Sequence, residues 1–196
     1  IRVNNDLVMV NMGQPKLLLN KPIYVGFSIL DISKTLIYKF HYDTVMKRYG
    51  PDNAKLLFTD TDSLCYQIET EDLYKDMSQM IDEFDTSNYP AEHPLFSKRN
   101  AKVLGKFKDE TASVPPIEFI GLKSKMYSLL VTPNDPAKLT AKGVKRSWVE
   151  ANLRHDTFRD VLFKKAVTYA DFQKFVSNNH SIHTTLLHKK CLDAFD

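Results

Sequence analysis

Two aspartates separated by one residue, Asp60 and Asp62, lie between two strand-like stretches of this sequence. Residues 54–58 before them are mainly apolar, and residues 63–68 after them alternate between polar or small and apolar side chains. A period of two is typical of a half-buried β-strand. The sequence therefore predicts a β-hairpin with two carboxylates at its tip, and any fold for this chain must contain an antiparallel pair of strands there.

Two carboxylates this close together repel each other, and one of them tends to take up a proton unless a cation lies nearby. A divalent metal ion is the usual way to keep both ionised. Mg²⁺ is generally held by a few carboxylates together with phosphate oxygens. The acid pair thus predicts a magnesium site and points first to phosphoryl-transfer chemistry.

Hydrophobic residues make up 43% of the 196-residue chain, which is enough to form a hydrophobic core. The net charge of +3 is unevenly spread: residues 69–85 contain seven acids and one base, and residues 138–165 contain eight bases and three acids. This contrast is compatible with a basic face that meets a polyanion. Two solvated helix faces also explain the charge pattern, and on charge alone we prefer that interpretation.

Two cysteines do not form a disulfide framework, so a reduced intracellular compartment is expected. No apolar run approaches the length of a transmembrane helix, and no signal-peptide pattern is present. Both ends of the sequence look like cuts within a longer protein.

The order of predicted elements indicates an α+β fold. A long helix should start at Pro22 and end at Gly50-Pro51-Asp52, because proline suits a first turn and glycine a last one. The hairpin and an acidic helix over 71–84 follow. Further along the chain the sequence predicts strands over 103–108, 117–120 and 125–131, helices over 147–153 and 158–165, and a short helix over 172–176 capped by Asp171.

The acid pair is compatible with up to four kinds of site. A calcium loop of the EF-hand type needs further ligands and a glycine where residues 64–66 stand, so it is rejected. A haloacid-dehalogenase-type phosphatase leaves the strand for a loop after its Asp-x-Asp, whereas here a strand pattern resumes at once. A polymerase palm, with its acids at a hairpin tip, fits the flanks best. An ordinary turn with two solvated acids stays open on the motif alone.

Several ordered motifs resemble family B DNA polymerases, most closely the protein-primed subgroup of Maverick/Polinton elements and related viruses. Residues 56–64 (LLFTDTDSL) resemble the Asp-Thr-Asp-Ser motif of that family. The helix that leads into the motif is matched by residues 19–26 (LNKPIYVG) and 30–34 (LDISK), and the strands after it by 105–110 (GKFKDE) and 121–128 (GLKSKMYS). The similarity extends from about Leu7 to Gly143 and more weakly to the C-terminus.

The resemblance implies a palm over residues 1–143, built of an antiparallel sheet with the acid-tipped hairpin and a long helix packed on it, and a partial thumb over 144–196. It implies that Asp62 binds both Mg²⁺ ions directly and that Asp60 is the second, less direct, catalytic acid. Thr61 and Ser63 are expected to shape the turn. The activity implied is DNA-directed DNA polymerase, a nucleotidyltransferase of DNA replication.

The same resemblance implies a primer-binding role for Lys125 and Tyr127, which match a Lys-x-Tyr motif. Lys125 would supply charge to the DNA, and Tyr127 an aromatic face and a hydroxyl donor. The simpler alternative is a strand with an outward lysine and a buried tyrosine. Further phosphate contacts are implied at four bases, for which solvated surface charge is equally expected: Lys123, Lys142, Lys145 and Arg146.

The spacing of His180, His183, His188 and Cys191 resembles a zinc set, but the gap between the second and third histidines is awkward for a tight four-ligand site. We therefore expect surface or packed histidines here and no zinc.

Residues 1–53 match neither the upstream palm aspartate nor the lysine-bearing fingers helix that family B polymerases need. The fragment alone is therefore expected to bind metal poorly and to polymerise nothing. Expected partners are primer–template DNA, a dNTP, a terminal protein primer and the remainder of the polymerase chain, but no membrane. The expected location is the nucleus or the site of viral replication. A non-catalytic nucleic-acid-binding or interaction remnant is the alternative function, and an Asp-x-Asp phosphatase is a more distant one.

Overall fold

The structure, a computed structural model, describes residues 2–5, 8–10, 13, 20–133, 138–179 and 181–195. It is of the predicted α+β class, with short helices and small, mostly antiparallel sheets. The chain divides into two compact units. We call residues 22–115 the helix–hairpin unit, and residues 1–21 together with 116–196 the sheet unit.

The long helix predicted from Pro22 is confirmed, although it is not regular throughout. Helix α1 (Ile23–Lys39) continues into a π-helical segment (Phe40–Met46) and then into α2 (Lys47–Asn53). Gly50, with φ of 74°, interrupts the helical backbone at the position where the sequence predicted the end. A positive φ costs glycine nothing, so glycine is the natural residue for this break.

The predicted hairpin is also confirmed. Strand β1 (Ala54–Asp60) pairs antiparallel with β2 (Ser63–Ile68), and the register shifts at a bulge between Leu56 and Phe58. The bulge was not predicted, because one extra residue in a strand leaves the alternation on β2 unchanged.

The core of the helix–hairpin unit lies between the helix and this hairpin. Phe40, Val45 and Ala54 are buried, and the Phe107 ring stacks on Phe40 with ring centroids 4.0 Å apart. The alternating apolar residues of β2 pack against the same cluster, namely Leu64, Tyr66 and Ile68. The period-two pattern of β2 therefore identifies the face that the helix covers.

The rest of this unit is more irregular than the sequence predicted. The acidic helix is shorter and consists of α3 (Leu73–Gln79) and a 3₁₀ turn (Ile81–Glu83). Strand β3 (Phe84–Asp85) pairs in parallel with β4 (Phe107–Lys108). The strand predicted over 103–108 is therefore wrong for most of its length, because successive turns occupy the backbone up to residue 106.

The sheet unit contains the three-stranded antiparallel sheet β5 (Glu118–Lys123), β6 (Met126–Leu130) and β7 (Lys138–Ala141). The first two strands were predicted. Helices α4 (Arg146–Asn152) and α5 (His155–Lys164) confirm the two helices predicted in the basic stretch.

The last element, a hairpin of β8 (Thr168–Asn178) and β9 (Ser181–Leu192), corrects the sequence prediction. The short helix predicted over 172–176 is wrong. The Asp171 carboxylate accepts a hydrogen bond from His188 Nδ1 on the opposite strand, at 2.6 Å, instead of capping a helix. Cross-strand pairing outweighs a local capping preference here.

One core joins the sheet to the helices and to the base of this hairpin. Its largest fully buried members are Phe158, Leu153, Leu192 and Val161. Residues on both sides of position 143 therefore belong to one compact unit. The palm–thumb boundary at 143/144 concerns parts of a polymerase, not compact units, and it stays a prediction.

None of the helices in the described part of the chain is both long and apolar enough to cross a membrane.

Candidate functional site

The acid pair lies at the tip of the β1–β2 hairpin, in a two-residue turn formed by Thr61 and Asp62. Asp60 pairs with Ser63 as the last rung of the ladder, and the Asp62 amide donates a hydrogen bond to the Asp60 carbonyl at 2.6 Å. The two carboxylates are therefore carried by a tight, internally bonded turn.

The turn contains an unusual backbone conformation. Thr61 has φ of 56°, in the left-handed region where β-branched residues are outliers. Its hydroxyl bonds Asp60 Oδ1 at 3.3 Å, and the Ser63 hydroxyl bonds the Asp60 carbonyl at 3.2 Å. Both predicted turn-shaping residues thus make hydrogen bonds inside the turn. Strained residues of this kind concentrate at functional sites, where the surrounding structure holds them in place.

The tip fits a hard cation only in part. Asp60 is half-buried and Asp62 is exposed, so both can offer oxygen atoms of the kind that Mg²⁺ prefers. Within the described ranges, no three His, Cys, Asp or Glu side chains come together as a metal site. Two carboxylates leave most of the six positions around Mg²⁺ to water, phosphate or further carboxylates. The arrangement fits a magnesium site that needs additional ligands.

The zinc set considered from the sequence is not assembled by the residues the structure describes, among which His180 is not included. His188 is engaged with Asp171 and stacks on Tyr169 with ring centroids 5.0 Å apart. Cys191 is buried, and burial raises the pKa of its thiol.

The predicted DNA-binding bases lie in the sheet unit, around the end of the β5–β6–β7 sheet that contains the β5–β6 turn; we call this region the basic edge. Lys123 ends β5, and Lys125 lies in the β5–β6 turn. Lys142 follows β7, and its amide donates a hydrogen bond to the Lys125 carbonyl at 3.0 Å. Lys145 and Arg146 begin α4 directly afterwards. The fold therefore brings these bases, scattered over 24 positions of sequence, to neighbouring connections at the same end of the sheet.

Lys189 belongs to the basic edge and was missed by sequence reasoning. Its ammonium group donates a hydrogen bond to the Gly143 carbonyl at 3.1 Å. Gly143 has φ of 79°, and a Cβ atom there would collide with the Lys189 ammonium. No sequence pattern pointed to this contact, because it depends on the β8–β9 hairpin that the sequence did not predict.

The two members of the Lys-x-Tyr motif differ in exposure. Lys125 is exposed and has φ of 57° in the β5–β6 turn. Tyr127 on β6 is only 9% exposed, and its ring centroid lies 6.0 Å from that of Phe119. This matches the simpler alternative of an outward lysine and a buried tyrosine. A primer contact by Tyr127 would have to use its small exposed fraction.

A buried polar chain follows Tyr127 along β6. The fully buried Ser128 hydroxyl lies 2.6 Å from His155 Nδ1, and His155 Nε2 lies 3.3 Å from a Glu118 carboxylate oxygen. Arg159 pairs with the same carboxylate and lowers the pKa of Glu118 through that hydrogen bond. The seryl oxygen is inaccessible to any ligand, so this Ser-His-Glu arrangement supports the fold and is not a hydrolytic triad.

No protein-family model, curated protein or solved structure matches this chain.

Proposed function

We propose that this chain is part of a family B DNA-directed DNA polymerase of the protein-primed type, and that Asp60 and Asp62 belong to its nucleotidyl-transfer site. One observation carries the proposal. The two acids stand at the tip of an antiparallel hairpin, and one face of this hairpin packs against the C-terminal part of a long helix, from Phe40 to Tyr49. This is the setting that the resemblance implies for the catalytic acids of a polymerase palm.

The same observation separates the polymerase from the phosphatase alternative. An Asp-x-Asp phosphatase places its acids at the carboxyl end of a parallel strand, where ligands bind in doubly wound folds. Here the strand before the acids pairs antiparallel with the strand after them, at Asp60 and Ser63. The hairpin therefore favours the palm.

In the proposed reaction the acids hold magnesium, and the basic edge binds the phosphates of the primer–template. Magnesium held by Asp60 and Asp62 would lower the pKa of the primer 3′-hydroxyl and stabilise the charge on the triphosphate. Asp62, the more exposed acid, would bind the ions directly, whereas the Asp60 carboxylate also accepts a hydrogen bond from Thr61 within the turn. Lys125 and Lys142 supply positive charge to the DNA backbone.

Metal binding at the tip can be tested with the 196-residue chain itself. Mn²⁺ substitutes for Mg²⁺ and broadens the NMR signals of nearby amides. We expect weak, saturable broadening centred on residues 60–63, abolished by added Mg²⁺ and by Asp62→Asn. Asp52→Asn, which removes an exposed acid from α2, is the matched control and should leave the broadening unchanged. Broadening that ignores the tip would contradict the proposal.

Nucleotidyl transfer needs a longer protein. The proposal is tested by a chimaera in which residues 20–143 replace the corresponding segment of a protein-primed family B polymerase. We expect Mg²⁺-dependent primer extension that falls about 10²–10³-fold in the Asp62→Asn variant, as when one preorganised electrostatic group is removed. A chimaera that folds and binds primer–template but does not extend the primer would count against the proposed function. The 196-residue chain alone should extend no primer.

A second candidate is nucleic-acid binding without catalysis, which the basic edge favours because it does not depend on the acids. Fluorescence anisotropy with a short primer–template should show binding that weakens steeply as salt rises. Lys142→Ala should reduce the salt slope by about 1, whereas Lys34→Ala on α1 should not change it. If DNA binding is retained while both the tip and the chimaera are inactive, the second candidate replaces the first.

A further inference from the structure

Two irregular features of the helix–hairpin unit lie close to Tyr66 of strand β2. The π-helical segment Phe40–Met46 interrupts the long helix, and the bulge between Leu56 and Phe58 interrupts β1. Tyr66 is the ladder partner of Leu56 and therefore lies immediately below the bulge on β2. Its hydroxyl is 2.8 Å from Nδ1 of His41, the second residue of the π-helical segment.

The contact between His41 and Tyr66 is specific in its geometry. The two rings are stacked at an interplanar angle of 11° with centroids 5.8 Å apart, and the hydrogen bond is partly buried. Burial raises the pKa of Tyr66 to about 12, so its hydroxyl stays protonated at physiological pH. The pair thus combines a hydrogen bond with ring packing, and both fix the position of the Tyr66 ring relative to the helix.

The π-helical segment explains how the helix can make this contact. Phe40 is used for the core, where its ring stacks on Phe107. A π-turn closes its hydrogen bonds over one residue more than an α-turn, which reduces the angle between successive side chains. Phe40 and the adjacent His41 can therefore both face the hairpin. Such turns are rare and are found frequently at functional sites.

We propose that His41 and Tyr66 are positioning residues for the acid tip. They anchor β2 just below the bulge. The bulge determines the direction in which the end of the hairpin, with Asp60 and Asp62, projects. Tyr66 lies four residues from Asp62, about 13 Å along the strand. This inference rests on the proposed function, since it assigns the anchor to the metal site of that function.

A positional role follows from the way the hairpin is stabilised. A two-stranded hairpin is marginal by itself and depends on packing against other elements. A displacement of 1 Å in a catalytic group can cost 10²-fold in rate. An anchor between the helix and the strand, at the point where the ladder is irregular, limits such displacement.

The test uses Tyr66→Phe, which keeps the ring and removes the hydroxyl. We expect the Mn²⁺ affinity of the tip to fall about tenfold, as for other groups that orient metal ligands. Residual dipolar couplings of amides 58–64 should change as well, because the tip is reoriented. The matched control is Tyr89→Phe, which removes a tyrosine hydrogen bond to Asp109 (3.0 Å) elsewhere in the same unit. It should leave the metal affinity and these couplings unchanged.

Substitutions of His41 separate the hydrogen bond from simple packing. Asn places a polar atom near the position of Nδ1, so His41→Asn should retain most of the Mn²⁺ affinity. His41→Phe should lose as much as Tyr66→Phe, and the double variant should lose no more than either single one.

The two proposals fail in different ways. If the dipolar couplings of the tip are the same in Tyr66→Phe and Tyr89→Phe, the positioning role is overturned, whether or not metal binds. Absence of Mn²⁺ broadening in the unaltered chain overturns the proposed function alone, since the couplings still report the anchor.

Discussion

At the scale of single residues, the backbone of Thr61 is the most informative feature of the acid tip. Its positive φ closes a two-residue turn between two paired strands, and this turn brings the acids together. Asn or Gly adopts this conformation readily, whereas threonine does so at a cost. The threonine hydroxyl compensates in part through its bond to Asp60.

Thr61→Asn should therefore stabilise the helix–hairpin unit by about 1 kcal/mol, because asparagine tolerates the left-handed region. The measurement is the urea midpoint of this unit, followed by its amide NMR signals. Thr59→Asn is the control: Thr59 lies within β1 with an ordinary strand backbone, so the same substitution should be destabilising there. Equal effects at the two positions would contradict the assigned strain.

Two glycines allow a second residue-scale prediction with opposite signs. Gly143→Ala should destabilise the sheet unit by about 1–2 kcal/mol, because a residue with a Cβ atom is strained at this positive φ; the Lys189 ammonium, at the end of a flexible side chain, can move aside. Gly26→Ala should instead stabilise the protein by about 0.5–1 kcal/mol, because Gly26 is in mid-helix with open space around it.

The single tryptophan, Trp148, lies in α4, so its fluorescence during urea unfolding follows the sheet unit. The stability change caused by Gly26→Ala is measured by far-UV circular dichroism and by the amide signals of α1. A neutral effect of Gly143→Ala would contradict the backbone strain assigned to this position.

At the scale of elements, strands β5 and β6 are joined to helix α5 by a polar chain that runs from the buried Ser128 through the buried His155 to the half-buried Glu118. Arg159, one turn further along α5, pairs with the same carboxylate. A carboxylate near the start of a helix is also favoured by the helix dipole. The pKa of Glu118 is lowered, first by the Arg159 hydrogen bond, so its ionised form stabilises the folded protein.

Glu118→Gln should therefore lower the stability of the sheet unit at pH 7. The stabilisation by ionised Glu118 is fully present above its usual pKa of 4.5 and is lost as the pH falls through the lowered folded value. The difference between the two proteins should thus be large at pH 7 and should shrink below about pH 4.5.

Urea midpoints measured by Trp148 fluorescence at pH 7 and pH 3.5 give this comparison. The control is Glu150→Gln, which breaks an exposed pair with Arg146 and should cost at most about 0.5 kcal/mol at either pH. A Glu118→Gln effect that is the same at both pH values would exclude the ionised carboxylate as the cause.

The elements also show what the sequence could predict. The long helix and the acid-tipped hairpin were predictable, because their periodicity and their glycine and proline boundaries are local. The β8–β9 hairpin was not, since Asp171 reads as a helix cap until His188 is placed opposite it. The positions of Asp60 and Asp62 followed from the local pattern. Their support by His41 and the place of Lys189 in the basic edge could not be predicted, because both depend on contacts between residues far apart in sequence.

At the scale of the whole molecule, the chain consists of two compact units that each have a core of their own. In the helix–hairpin unit, Phe40, Val45 and Ala54 are covered by residues of that same unit, including Phe84 and Phe107. The acid tip and its His41–Tyr66 anchor lie entirely within this unit.

A protein consisting of residues 22–115 alone should therefore fold and keep the hairpin. NMR should show dispersed amide signals and cross-strand contacts between Asp60 and Ser63, and the Mn²⁺ response of the tip should equal that of the 196-residue chain. A collapsed spectrum would show that the core of this unit depends on residues 116–196.

The β8–β9 hairpin has a consequence for the order of folding events. Thr168 and Leu192, which pair at its base, are 24 residues apart, and every other pair of the ladder is closer in sequence. Loop closure over such short separations is fast, and hairpins form in about 1–10 μs. Zipping from Asn178 and Ser181 towards the base would deliver Cys191 and Leu192, which are almost completely buried, to the core at the end of the process. We therefore expect substitutions at the far end of this hairpin to alter the folding rate of the sheet unit, and substitutions at its base to alter mainly the unfolding rate.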